Sequence, residues 1–309
     1  MKSLQTIIVL TLLLPGLAIA APMKNGFDLA GSLVPVNEMI SGGPPRDGIP
    51  AIDHPKFVTA VKASFLKPGD RVLGVVRNGV VKAYPIAILN WHEIVNDNFD
   101  GEPVAVTFCP LCGTGMAFLA GINGKTLNFG VSGLLYNSDV LLYDRQTQSL
   151  WSQIMRTAIS GPWKGQRLTD LPLENTSWAD WKQRYPGTLV LSQDTGFPRD
   201  YRSSPYSTYI TSEQVMFPMK FRAQGFHPKE EVIGVEISGQ FKAYPFAELA
   251  KTSGEILDNF ADKHIIVRFN VEHRSGTIHD TAGNALPSVI AFWFAWYGFH
   301  PDTEIFHGK

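Results

Sequence analysis

Two cysteines stand three residues apart, in Cys109-Pro110-Leu111-Cys112-Gly113, and they are the only two among 309 residues. This is the pattern of a metal-binding knuckle. Proline fixes φ in the turn, the turn's backbone N–H groups can face the sulfurs, and glycine permits the sharp exit after the second ligand. Two thiolates presented in this way suit zinc, iron or copper(I). A disulfide is the bland alternative, although so small a ring would restrict the unfolded chain by only about 2 kcal/mol. A thiol-disulfide redox pair is the third reading. That chemistry usually places the first cysteine at a helix N-terminus, which lowers its pKa. The segment after Gly113 instead alternates like a strand.

A knuckle is half of a tetrahedral site, so other donors must come from elsewhere. In Asn90-Trp91-His92-Glu93, His92 is the first choice, on a helix that could set it beside the knuckle strand. The thioether of Met116 is next, then His273. Glu93 would face elsewhere on such a helix, and solvent exposure is its simplest reading. Tyr136, Asn137 and Asp139, in Tyr-Asn-Ser-Asp, are candidates to line a ligand pocket, although Asn-Ser-Asp is equally an ordinary turn. Copper or zinc is the expected ion, copper(I) first, because thiolate with imidazole or thioether suits a soft ion.

The elements that must position these residues are short and turn-rich. Glycine (28) and proline (21) are plentiful, which favours many turns and brief strands, and 44% hydrophobic residues support a real core. A net charge of −1 offers no electrostatic case for nucleic acid.

Residues 1–20 read as a secretory signal peptide: Lys2, an apolar core from Ile7 to Leu14, and Ala18-Ile19-Ala20 before the cleavage point. Pro15 interrupts the run, which is too short to span a bilayer comfortably, so no transmembrane span is expected in the mature chain. A periplasmic or secreted location follows. Free thiols tend to oxidise there, so the cysteines should be bridged or held by metal.

An internal repeat sets the expected architecture. Residues 72–89 reappear at 232–249 with ten of eighteen positions identical, including Lys-Ala-Tyr-Pro in both. Each copy reads as strand, tight turn, strand and a proline-started helix. Asp97-Asn98-Phe99 then matches Asp258-Asn259-Phe260 after one inserted residue. On this register Cys109 meets Asn270, Cys112 meets His273, and His92 meets Ser253, so the chemistry belongs to the first copy alone. The expected fold is therefore α+β and β-rich, with two internally repeated β-rich halves packed together, residues 21–190 and 191–309. Ser177 to Tyr185 reads as a short capped helix, and Gln193 to Tyr206 as a polar loop offering Asp194, Arg199 and Tyr201. The apolar run Val289–Phe299 reads as a buried strand or helix.

Several stretches together resemble an uncharacterised family of exported bacterial proteins, described only as a domain of unknown function, number 3179. They include Gly-Gly-Pro-Pro-x-Asp-Gly-Ile-Pro-Ala-Ile-Asp (42–53), Asn-Trp-His-Glu-Ile-Val-Asn-Asp (90–97) and Phe-Cys-Pro-Leu-Cys-Gly-Thr (108–114). Phe-Gly-Val-Ser-Gly-Leu-Leu-Tyr-Asn-Ser-Asp (129–139), Leu-Trp-Ser-Gln (150–153) and Phe-Trp-Phe-Ala-Trp-Tyr (292–297) complete the set. The resemblance implies export and brings no reaction with it. A metal-binding or redox protein, a thiol-disulfide oxidoreductase and a non-enzymatic carrier of a metal ion or small molecule all stay open. No phosphate loop, His-Glu-x-x-His or Ser-His-Asp order is present to support a nucleotide or hydrolase reading.

Overall fold

The computed structural model describes residues 21–252 and 254–308; the leader expected over residues 1–20 lies outside them. Strands make up 41% of the described residues and helices 10%. Each helix spans only four to seven residues. Ile86–His92 shows why: it starts after Pro85 at φ −61° and is stopped at Glu93, whose φ is +58°. A chain so dense in turn residues interrupts helices early and favours tight hairpins.

Among the described residues, five sheets of four or five strands are arranged as a five-bladed β-propeller. The expected α+β fold of two repeated halves is thereby corrected. Strands Arg71–Arg77 and Val80–Pro85 centre one sheet, and Ile94–Phe99, Glu102–Cys109 and Thr114–Leu119 form most of the next. Between Leu119 and Asp170 the chain then builds a further sheet on the hairpin Phe129–Tyr136 and Asp139–Asp144. After the similar stretch in the second copy, the chain passes from Asp280 through the short strand Ala285–Leu286 straight to Val289. The intervening sheet has nothing opposite it, so the blades cannot divide evenly into two halves.

The two similar stretches nonetheless share one local geometry. Val72 pairs with Pro85 and Leu73 with Tyr84, as Val232 pairs with Pro245 and Ile233 with Tyr244. Trp181 lies against Gly74 and Trp296 against Gly234, so close that a Cβ on either glycine would sit 2.2 Å from the indole. Lys82 bonds Asp97 at 2.8 Å and Lys242 bonds Asp258 at 2.7 Å, and both ion pairs are largely out of water. These lysines are structural, as their repetition suggested.

The predicted helix after Ser177 forms as Trp178–Arg184, with the Ser177 hydroxyl accepting from the Asp180 N–H. The apolar C-terminal run divides into strand Val289–Phe292 and helix Trp293–Phe299, with Trp293 and Trp296 fully buried. No helix among the described residues is long and apolar enough to cross a membrane.

Candidate functional site

The knuckle joins strand Glu102–Cys109 to strand Thr114–Leu119, with Cys109 and Thr114 as the last cross-strand pair. The Cys112 N–H donates to the Cys109 carbonyl at 3.2 Å, which closes the turn. Gly113 leaves it at φ +63°, with the Phe292 ring 3.0 Å from where a Cβ would stand. The Phe292 N–H in turn bonds the Cys112 carbonyl at 2.8 Å. Both cysteines are buried and unbridged.

The unrepeated sheet delivers the third group. Asn137 and Ser138 form a two-residue turn with φ of +48° and +65°, and Asp139 follows as the first residue of the returning strand. That turn lies on the knuckle: the Cys112 thiol approaches the Ser138 carbonyl at 3.2 Å. Ligand-type atoms of Cys109, Cys112 and Asp139 all fall within 4.8 Å of one another. One Asp139 oxygen accepts from the Ile154 N–H at 3.1 Å, while Oδ1 is buried with no partner.

Of the other candidates, the two histidines are engaged elsewhere. His92 is buried, but its Nδ1 bonds the Pro50 carbonyl and its Nε2 the Tyr201 hydroxyl, each at 2.7 Å. Both ring nitrogens are thus engaged away from the cysteines. His273 bonds the Ser177 hydroxyl at 3.0 Å. Met116 packs in the same apolar cluster as the two cysteines. The Asn137 side chain spans Gly298 and Lys220 at 3.0 Å each, and Tyr136 packs edge-on against Phe299. Asp139 is the member of the predicted pocket trio that meets the thiols.

Glu93, expected in water, is only 6% exposed. Its backbone occupies the left-handed region, which costs a non-glycine residue on the order of 1 kcal/mol or more. At the matching position the second copy has Gly254, at φ +76°. Comparing the copies would have singled Glu93 out from sequence alone. Its carboxyl makes no hydrogen bond among the described residues and lines a cavity of about 80 Å³ beside Leu111 of the knuckle. The segment Tyr206–Phe217 covers that cavity. Tyr209 donates to the Leu111 carbonyl at 3.0 Å, and Ser138 donates to the Phe217 carbonyl at 2.8 Å. The buried Lys229 ammonium gathers the carbonyls of Tyr209, Ser212 and Gln214.

A family model described as a protein of unknown function (DUF3179) matches residues 46–281. The chain belongs to this family. Comparison with curated proteins and with solved structures finds no match. The span shared with the DUF3179 family holds Glu93, both cysteines, Asp139 and the covering segment, and ends before helix Trp293–Phe299.

Within this DUF3179 site the electrostatics run one way. Burial raises both thiol pKa values, and Asp139 raises them further. Burial pushes Asp139 up to about 7. Burial, then the charge of Asp139, pushes Glu93 up to about 8. These are four acidic groups held in low dielectric, so each favours its neutral form.

Both carboxyl pKa values lie above their ordinary ones of 4.5 and 3.8, so the folded state binds protons that the unfolded chain releases. Their contribution to stability is complete below about pH 4 and is lost as pH rises through 7 and 8. Glu93→Gln is expected to remove up to about 1.4 kcal/mol per pH unit of this slope between roughly pH 5 and 8 in urea denaturation. An unchanged slope would put the Glu93 carboxyl in water.

Proposed function

We propose that this is a metal-binding protein whose ion is held by Cys109, Cys112 and Asp139. The carrying observation is the convergence of two thiols and a carboxylate within 4.8 Å, all buried. The residues fit such an ion. The unpartnered Oδ1 of Asp139 is a costly buried acceptor unless something positive meets it. A cation would also offset the penalty of ionising the thiols, which no lysine, arginine or histidine bonds among the described residues. A mixed sulfur and oxygen donor set suits zinc better than copper(I). The imidazole that favoured copper is committed to Pro50 and Tyr201. When bound, zinc supplies Lewis acidity; the chain's part is to present the thiolates on a rigid turn and exclude water. The leader-like residues 1–20 support a location outside the cytoplasm, where ligation would protect the thiols from oxidation.

The test is metal analysis with thiol counting on the full chain, exported and purified without chelator. The expected result is about one zinc per chain, with both thiols blocked from reagent until the protein is denatured. Asp139→Asn should weaken zinc binding at least about tenfold. An intact Cys109–Cys112 disulfide without metal would overturn the proposal in favour of a redox pair.

A further inference from the structure

The cavity beside the knuckle has its own chemistry. It holds about 80 Å³, several times the 10–15 Å³ that one water needs, and its walls are apolar. Leu111, Val131, Leu135, Tyr206 and Phe217 line it, and Glu93 supplies its one carboxyl, with no lysine, arginine or histidine in the lining. Glu93 as a residue is only 6% exposed, and its carboxyl makes no hydrogen bond among the described residues. Its backbone conformation is one that the second copy gives to glycine. A buried polar group without a hydrogen bond costs free energy, and so does the positive φ. Two such costs at one residue that lines a small, mostly apolar cavity point to a ligand that completes its hydrogen bonding.

We propose that this cavity is a binding subsite for a small neutral molecule, of about three to five heavy atoms, that hydrogen-bonds to the Glu93 carboxyl. An anion would enter with no positive group to meet it, and a cation would exchange its hydration for a single carboxylate among apolar walls. A neutral molecule carrying both a donor and an acceptor pays neither cost. Met216 and Phe217 line both this cavity and a surface hollow of about 570 Å³, so these two side chains form the partition that a ligand would cross. The subsite adjoins the thiols but does not depend on a metal being held there.

The test is titration of the full chain with formamide, acetamide and the oversized pivalamide, followed through the backbone amide resonances of Glu93, Leu111 and Val140, with chelator and with zinc. Formamide and acetamide are expected to shift all three in a saturable way, and pivalamide to shift none. Glu93→Leu should weaken acetamide at least about tenfold while zinc stoichiometry holds. Glu93→Gly should lose acetamide equally and melt no lower than wild type, since it removes the strain and the unpaired carboxyl together. Zinc lost with acetamide binding intact would sink the metal proposal and leave this one standing. Absence of saturable shifts, equal affinity in Glu93→Leu, or pivalamide binding as well as acetamide would overturn it.

Discussion

Zinc at a thousandfold excess over its dissociation constant is expected to stabilise the wild-type protein against urea by about 4 kcal/mol, and to leave Cys109→Ser and Cys112→Ser nearly unmoved. The size follows from mass action, provided the ion binds the folded chain alone. That condition is reasonable here because the third ligand is far away in sequence. Cys109 and Cys112 lie in one turn, but Asp139 joins them only once the unrepeated sheet has docked on the knuckle. An unfolded chain keeps at most the two thiols together. Serine keeps the volume of either cysteine closely but offers no soft thiolate. Matched denaturation curves with zinc and with chelator, for wild type and both variants, provide the measurement. An equal zinc shift in the variants would locate the ion elsewhere.

Trp181→Ala and Trp296→Ala should each cost about 3–5 kcal/mol in the same assay. Both indoles are fully buried, and each donates at 3.0 Å to a threonine hydroxyl, Thr188 in one case and Thr303 in the other. Each ring occupies the space left by a strand glycine, Gly74 or Gly234, so truncation opens a cavity that the rigid sheet cannot close. The reverse change is informative too. Gly74→Ala and Gly234→Ala push a methyl into the indole and should destabilise by about 1–3 kcal/mol. A loss under about 1 kcal/mol for either tryptophan would show that its surroundings collapse readily, against the packing described here.

The two similar stretches differ at the turn that carries the cysteines. Where the first copy has Cys109 and Cys112, the second has Asn270 and His273, and there the Asn270 side chain accepts from the His273 N–H at 3.1 Å. A side-chain hydrogen bond holds that turn. The knuckle closes through its own backbone bond, so neither sulfur is needed to hold the turn, and both lie near Asp139.

What the sequence by itself determined is local. The turn at Cys109–Gly113, the hairpin register of Val72 to Pro85, the cap at Ser177 and the helix start after Pro85 depend on neighbours within a few residues, where proline, glycine and hydroxyl chemistry act directly. The burial of the C-terminal aromatics was legible for a similar reason, since a run so apolar must leave water. The tertiary structure decided the rest. His92 was expected at the knuckle, but the Pro50 carbonyl and the Tyr201 hydroxyl reached it first, from loops distant in sequence. Glu93 was expected in water, but a positive φ at the helix stop turned it inward, beneath a segment that arrives more than a hundred residues later. Asp139 met the thiols because one unrepeated sheet packs against the knuckle, and the same sheet makes the blades five in number rather than two equal halves. Contacts between sheets depend on which faces meet, and an alternating strand pattern records only that a face is apolar, not which partner covers it.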